Sequence, residues 1–324
     1  MNARAAIFGL TAMSLLGGYG AHAEEVARVA WLGTGTIEGS AEFVAAFREG
    51  MKEQGLAEGK HYVLDARYAD NHYERFPVLV QDLLTRGPSV IMVVTVASVR
   101  AAQRVTRTVP IVMISTTDPV GSGLVKSLSH PGGNTTGLGN MAEDVAEKYV
   151  QLFRELRPRG RRLGVLINPS NPSSRPVLEK IRNSARHQGI TIHAIEFVGA
   201  HDLEQVFRTI ARDTPDALTL IADNSYLDRR AELCALAVQH RIPVFGFAPD
   251  FADAGCAAGF GSPRRDLFRR SAVYVRKLLD GANPADLPVE LPVTFELVVN
   301  RRTTNALGIA IPKTVLTRAD RVIQ

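Results

Sequence analysis

The chain has 324 residues, 22% of them charged, and a formal net charge of +5. This length accommodates two domains of ordinary size. The positive excess is small and spread along the chain, without a basic stripe that carries interleaved aromatic residues, so we expect no nucleic-acid partner.

The N-terminus is typical of a secretory signal peptide. A basic start at Arg4 is followed by an apolar run over 5–16, and Ala21-His22-Ala23 supplies the small residues that precede a signal-peptidase cut. The run is too short for a membrane anchor, which needs about 20 apolar residues. We therefore expect a signal peptide over 1–23, cleaved after Ala23, and a periplasmic mature protein without a membrane span.

Short apolar strands alternate with amphipathic helices along the rest of the chain. In the first helix, Phe43, Phe47 and Met51 recur every four residues after Ser40, which can cap the helix N-terminus. This alternation predicts parallel sheets with helices on both faces, and its restart after the turn-rich segment 129–134 predicts a second, similar lobe. The predicted strands are 26–32, 62–68, 90–94, 111–114, 163–167, 190–197, 217–221, 243–247 and 295–300. Further helices are predicted near 76–84 and over 98–107, 143–156, 176–187, 202–212, 228–240 and 266–279.

Polar loops follow several predicted strands, at the sheet edge where ligands of parallel sheets bind. Their hydroxyls, amides and single carboxylates can fix a small polar solute by hydrogen bonds. The same residue types also cap helices and form turns, so one such loop alone indicates only a cap. Five of them at equivalent positions in two lobes favour a ligand cleft: 33–40, 95–98, 115–119, 168–174 and 222–226.

Motifs of common enzyme classes are missing from the sequence. Gly33-x-Gly35 begins like a dinucleotide fingerprint, but Glu38 stands where the third glycine is required. There is no G-x-S-x-G elbow, and the histidines show no metal-ligand spacing. Asp118 and Asp223 could in principle form an acid/base pair, but holding a substrate ammonium is the simpler role. We expect no enzyme activity, no cofactor and no metal.

The mature chain contains two cysteines, Cys234 in a predicted helix and Cys256 at the start of a Gly/Ala-rich strand. An oxidising compartment permits a disulfide between them. Two small buried side chains are an equally good interpretation, because sequence does not give their separation.

Several segments, in order along nearly the whole mature chain, resemble one protein family. They are 47–55 with 58–60, 109–113, TDPVGSGLV at 117–125, PGGNTTGL at 131–138, KLLDGANPADLPVE at 277–290 and ALGIAIP at 306–312. Together these segments resemble the ABC-transporter substrate-binding family that includes tryptophan- and tyrosine-type binders.

The resemblance implies an α/β fold of two Rossmann-like lobes with parallel sheets, the type I periplasmic-binding-protein or Venus flytrap architecture. The chain would cross between the lobes three times, near Gly137, near 250–255 and near 288–292. We therefore expect an N-terminal lobe of 24–137 plus about 255–288, and a C-terminal lobe of 138–250 plus about 289–324.

By the same resemblance, the ligand binds between the lobes. An amino-acid carboxylate would meet Thr95, Ala97 and Ser98, which precede a helix N-terminus. A substrate ammonium would suit Asp118 and Asp223. Tyr226 and Phe247 are either stacking faces or core residues. The full set of candidate ligand-binding residues is Thr34, Thr95, Ala97, Ser98, Asp118, Asn171, Ser173, Asp223 and Asn224.

We therefore expect a monomeric solute-binding component of an ABC transporter. It would capture a small polar solute, such as an amino acid or an aromatic compound, and deliver it to a permease in the cytoplasmic membrane. The alternative is an exported ligand-sensing module that signals to a receptor. Both rest on closure of the lobes around the ligand, without chemistry on it.

Overall fold

The structure is a computed structural model that describes residues 26–142, 145–198 and 202–324. The predicted signal peptide over 1–23 lies outside the described residues. Within these ranges, no helix combines the length and the hydropathy needed to cross a membrane.

The first of two sheets is fully parallel, with strand order β2-β1-β3-β4-β5. Its strands are β1 (Ala27–Gly33), β2 (Tyr62–Tyr68), β3 (Val90–Val93), β4 (Ile111–Thr117) and β5 (Thr135–Asn140).

The second sheet has the order β12-β11-β10-β9-β8-β6-β7 and is parallel except for the pair β10 and β11. Its strands are β6 (Arg162–Ile167), β7 (Thr191–Glu196), β8 (Ala217–Leu220), β9 (Val244–Gly246), β10 (Ala258–Gly261), β11 (Glu296–Asn300) and β12 (Arg321–Ile323).

Helices connect most of the strands, as the alternation in the sequence predicts. They are α1 (Ile37–Glu53), α2 (Phe76–Thr85), α3 (Val96–Val105), α4 (Ala146–Leu156), α5 (Ser174–His187), α6 (Leu203–Asp213), α7 (Asn224–Asp228), α8 (Arg230–Gln239), α9 (Pro249–Asp253), α10 (Arg264–Leu279), α11 (Arg301–Ala306) and α12 (Lys313–Arg318). A short 3-10 helix, Tyr73–Arg75, precedes α2.

Apolar side chains cover both faces of the first sheet, as expected for a parallel sheet between helices. On one face Trp31 packs against Phe47 of α1 and Phe268 of α10. The second sheet has its own core, which includes Phe153 and Phe207. The fold class is therefore confirmed: two α/β lobes, each built on a mostly parallel sheet.

Sheet pairing places the crossings between the lobes slightly later than the sequence predicts. Strand β5 pairs with β4, so the first crossing follows Asn140 rather than Gly137. Strand β10 lies within the range predicted for the first lobe, yet it pairs with β9 and β11 of the second sheet. The chain then returns with α10, which packs on α1. Glu290 still bridges to Leu138, so the last crossing lies between it and β11.

The structure decides whether the two cysteines are bonded and moves the start of one predicted helix. Cys234 and Cys256 form a disulfide with an S–S distance of 2.07 Å, which fastens α8 to the entry of β10. The helix predicted over 228–240 begins two residues later, at Arg230, because Arg229 leaves the helical conformation with φ −106° and ψ 18° and separates α8 from the short helix α7 before it.

Candidate ligand-binding site

A polar cavity lies between the carboxyl-end loops of the two sheets. It has a volume of about 30 Å³ and is lined from the first lobe by Val94, Thr95, Val96, Ser115, Thr117, Asn140 and Arg264, and from the second lobe by Asn171, Ser173, Ala222, Asp223 and Asn224. A second cavity of about 50 Å³ shares Ser115, Asn140, Ala222 and Arg264 with it, and adds mainly apolar residues such as Tyr149, Phe247 and Phe295. Space of this size holds only a few water molecules. The lobes therefore leave only a small space between them in this structure.

The first-lobe wall is built around the N-terminus of α3. Thr95 caps this helix: its Oγ1 accepts from the Ser98 backbone N–H over 3.2 Å, while Ser98 Oγ accepts from the Thr95 N–H over 3.0 Å. Ser98 is fully buried by this reciprocal cap and does not line either cavity. Ala97 packs against the apolar core of the first lobe. Of the three residues predicted to meet a carboxylate, only Thr95 lines the cavity.

The second-lobe wall is organised by Asp223, which is 4% exposed and caps α7. Its Oδ1 accepts from the Ser225 backbone N–H at 3.1 Å and from Ser225 Oγ at 2.6 Å. Its Oδ2 accepts from Nδ2 of Asn171 at 2.9 Å, Nδ2 of Asn168 at 3.2 Å and the hydroxyl of Tyr73 at 2.9 Å. Tyr73 belongs to the first lobe, so this bond joins the two lobes.

These five donors satisfy the hydrogen-bonding capacity of Asp223, because a carboxylate offers about four lone-pair sites. A substrate ammonium would have to displace one of them. The geometry therefore gives Asp223 a positioning role: it holds the amide of Asn171 at the cavity wall and fixes the approach of Tyr73.

The other predicted site residues are divided between the polar cavity, its neighbouring cavities and the core. Asp118 lines a different cavity, beside Pro119 and Leu291, and its Oδ1 accepts from the Gly121 N–H over 2.9 Å to close a turn. Thr34 lines a neighbouring small cavity between the lobes together with Asn224 and Arg264, and its buried Oγ1 has no hydrogen-bond partner among the described residues. Asn171, Ser173 and Asn224 do line the polar cavity. Tyr226 is a core residue stacked on Phe197, whereas Phe247 lines the apolar cavity.

A second contact between the lobes involves Asp228, at the end of α7. Its Oδ2 accepts from the backbone N–H of Thr36 over 2.9 Å and from Nδ2 of Asn71 over 3.0 Å. A Cβ at Gly35 would lie 2.3 Å from Oδ2 of Asp228, and a Cβ at Gly39 would lie 2.1 Å from its Oδ1. Gly35 and Gly39, in and just after the loop that follows β1, therefore make room for a carboxylate of the opposite lobe. This role accounts for glycines in a segment that matches the dinucleotide fingerprint only in part.

Sequence reasoning missed three cleft residues: Tyr73, Asn140 and Arg264. Tyr73 lies on a 3-10 turn after β2, away from the strand-end loops that the polar pattern highlights. Asn140 ends β5, a strand with two glycines in six residues that the sequence pattern did not predict. Arg264 is one of several arginines at the start of α10 and had no feature that separated it from its exposed neighbours.

Two α/β lobes that enclose a polar cavity between their strand ends define a binding protein of the type I periplasmic-binding-protein fold. The chain belongs to the family described as ABC transporter substrate binding protein, which matches residues 36–323. The members and structural neighbours of this group are binding proteins rather than enzymes.

Individual relatives agree with this assignment. A tyrosine-binding protein of Clostridioides difficile is 23% identical over 261 residues, covering 81% of this chain and 75% of that protein. A conserved domain protein from Vibrio cholerae has a TM-score of 0.85 and 28% identity, covering 92% of this chain and all of the other. A domain from Streptococcus pneumonia in complex with L-Trp has a TM-score of 0.83 at 23% identity, covering 92% and 99%. A ligand-free, open substrate binding protein from Clostridium difficile has a TM-score of 0.62 at 21% identity, covering 92% and 100%.

Proposed function

We propose that this chain is the extracytoplasmic receptor of an ABC transporter, exported by the segment 1–23 and acting as a monomer. It captures a small polar solute between its lobes and presents the closed form to a permease in the cytoplasmic membrane. Family membership supports the solute and the transporter, and the basic-apolar-small order of the N-terminus supports export.

The observation that carries this proposal is the pair of contacts that joins the lobes across the cavity. The bond from Tyr73 to Asp223 is buried, and the contacts of Asp228 with Thr36 and Asn71 lie beside it. Hinged binding proteins gain such contacts when the lobes close on a ligand. The polar residues between these contacts face a space that closure separates from solvent, which is where a ligand would be held.

Candidate ligand-binding residues are Thr95, Asn171, Ser173 and Asn224, from the sequence-based set, together with Asn140 and Ser115. Amide and hydroxyl groups from both lobes would orient a polar solute, and the neighbouring apolar cavity would receive its hydrocarbon part. The relatives that bind tyrosine and tryptophan make amino acids and aromatic compounds the first classes to test.

The test begins with protein exported by a bacterial host and purified from its periplasm, with the N-terminus determined by mass spectrometry. We expect it to begin at Glu24. A thermal-shift screen against amino acids, small carboxylates, sugars and purines should identify one class, because a ligand at 100 times its Kd adds about 2.7 kcal/mol of stability. Ala222→Phe, which fills the space between the lobes, should abolish the shift. Ala57→Phe, the same change on an exposed loop, should retain it.

A solute identified in this way separates transport from sensing. Deleting the gene should reduce uptake of the radiolabelled solute at low concentration if the chain serves a transporter. Unchanged uptake, with altered transcription on addition of the solute, would instead support the ligand-sensing alternative. Stabilisation by no class in the screen would contradict the binding function itself.

A further inference from the structure

Arg264 is a buried cation at the junction of the two cavities. It is the first residue of α10, only 8% of its surface is exposed, and it lines both the polar and the apolar cavity. Its guanidinium carbon lies 5.2 Å from the ring centre of Phe43 and 5.9 Å from that of Phe268. The charge therefore lies beside a stacked pair of aromatic rings, at the space between the lobes.

The hydrogen bonds of this guanidinium are incomplete. Nη2 donates to Oδ1 of Asn224 over 3.3 Å, while Nε is buried without a partner, and no carboxylate of the described residues lies within ion-pair distance. Arginines elsewhere on the same helix, such as Arg265 and Arg269, form ion pairs with glutamates of α1. An uncompensated buried charge is strongly unfavourable, so its retention at a cleft indicates a partner that arrives with the ligand.

Two of the three carboxylates that attract Arg264 from a longer distance are bound to other groups. Asp228 accepts from Thr36 and Asn71, and Glu42 pairs with Arg230. Burial lowers the pKa of Arg264, and the longer-range attraction of Asp250, Asp228 and Glu42 opposes this shift only in part. An arginine still remains charged at physiological pH, because its ordinary pKa lies far above that range.

The walls of the two cavities contain one carboxylate, Asp223, among the described residues that line them. Its oxygens are already satisfied by five donors of the protein. The walls of these two cavities therefore offer a cation in need of an anion, and no free carboxylate for an ammonium. Asp118 lines an adjoining cavity that shares Asn140 with them but does not include Arg264.

We propose that the solute is a monocarboxylate whose anionic group binds Arg264, and that Arg264 selects it over amines and over zwitterionic amino acids. This inference rests on the proposed function and specifies its ligand class. A single negative charge matches the single buried guanidinium, which can donate two parallel hydrogen bonds to a carboxylate. The hydrocarbon part of the solute would extend into the apolar cavity beside Tyr149 and Phe295. An amino acid would bring the same carboxylate together with a buried ammonium that lacks an anionic partner, and so would bind less tightly.

Isothermal titration with charge-matched probes tests this selection. The first set is 3-(4-hydroxyphenyl)propanoate, L-tyrosine and tyramine, and the second is 4-methylpentanoate, L-leucine and isopentylamine. In the set whose hydrocarbon part fits, the carboxylate should bind most tightly, the amino acid less tightly and the amine not measurably. Arg264→Gln should weaken the carboxylate by 30-fold or more, the loss typical of removing one partner of a buried charge pair. The carboxylate affinity of Arg264→Lys should lie between those of the wild type and Arg264→Gln, because lysine keeps the charge but lacks the planar guanidinium that donates two parallel hydrogen bonds.

The matched control is Arg265→Gln, the next residue, which is exposed and paired with Glu49; it should leave the affinity unchanged. The melting temperature of ligand-free Arg264→Gln should equal or exceed that of the wild type, because the substitution removes an uncompensated charge. A large decrease would show that Arg264 is structural and would overturn the inference. Carboxylate binding within threefold of wild type in Arg264→Gln, or an amine bound as tightly as its carboxylate, would overturn it while leaving the receptor function intact. Binding of no probe, when the thermal-shift screen finds a sugar or a purine, would overturn the inference alone; binding of no probe together with an empty screen would contradict both.

Discussion

The hydroxyl of Tyr73 in the first lobe donates a hydrogen bond of 2.9 Å to Oδ2 of Asp223 in the second, and both groups are buried. Burial and the adjacent carboxylate raise the pKa of Tyr73 well above its ordinary value, so the hydroxyl remains a donor at any physiological pH. Asp223 also holds Asn168 and Asn171, so the bond links closure of the lobes to the order of the cavity wall.

Removing this hydroxyl should weaken ligand binding. Tyr73→Phe deletes a bond to a buried carboxylate, and hydrogen bonds to charged groups contribute about 1.5–3 kcal/mol. We expect the Kd to rise roughly 10- to 100-fold, measured by isothermal titration. Tyr274→Phe is the control, because the hydroxyl of Tyr274 donates to the Pro288 carbonyl within the first lobe. It should lower the free energy of unfolding and leave the affinity unchanged; equal effects of both variants on affinity would refute a special role for the Tyr73 bond.

Closure should depend on the absence of a side chain at Gly39. Gly39→Ala places a methyl group against Asp228 and displaces the carboxylate from Thr36 and Asn71. We expect the Kd to rise about tenfold, the equivalent of about 1.4 kcal/mol. Gly133→Ala is a suitable control, because a Cβ there meets no atom within 4 Å.

A double-mutant cycle tests whether Gly39→Ala weakens ligand binding through its clash with Asp228. Once Asp228→Ala has removed the carboxylate, adding Gly39→Ala should cost little further affinity, since no clash remains. Additive losses in the double variant would show that Gly39 acts on the first lobe alone.

Acid should favour the closed form through Asp228. Burial raises the pKa of this carboxyl, and the hydrogen bonds from Asn71 and Thr36 oppose the shift only in part. The closed form therefore binds a proton more tightly than an open form in which Asp228 is hydrated. This contribution is present below the raised pKa and is lost as the pH rises through it. The ligand affinity should be measured for the wild type and for Asp228→Asn between about pH 5 and pH 8. The ratio of the wild-type affinity to that of the variant should be highest at the acid end, because only the wild type titrates at this position. A constant ratio, or one that grows with pH, would contradict this account.

The disulfide should stabilise the second lobe without affecting the site. Cys234 and Cys256 are 22 residues apart, and closing a loop of that length contributes about 3 kcal/mol. The double variant Cys234→Ala/Cys256→Ala should lose about that much free energy of unfolding in urea. Its affinity for the ligand should remain unchanged, because neither cysteine lines a cavity among the described residues. Loss of affinity at unchanged stability would contradict the assignment.

Periodicity predicted most of the fold, because buried strands and amphipathic helices carry strong apolar patterns. It failed where that pattern is weak. Strand β5 contains two glycines in six residues, and β12 is a three-residue edge strand. The lobe boundaries shifted for the same reason: β10, with the sequence AGFG, has too few apolar side chains to assign it to one sheet.

The site was less predictable than the fold, since its chemistry depends on contacts between distant residues. Polar residues after strand ends predicted a site that includes Thr95, Asn171, Ser173 and Asn224, and all four line the cavity. This pattern could not show that Asp223 is saturated, because one of its donors, Tyr73, is 150 residues away in sequence. It also could not distinguish Arg264 from Arg265, which differ in burial rather than in residue type.

The most direct test of the central claim is a crystal structure of the exported protein with the solute found by the thermal-shift screen. We predict electron density for the solute between the lobes, in contact with Thr95 and Asn171, with its anionic group on Arg264 and the bond from Tyr73 to Asp223 intact. Density for the solute at any other surface, with the space between the lobes holding only water, would contradict the account.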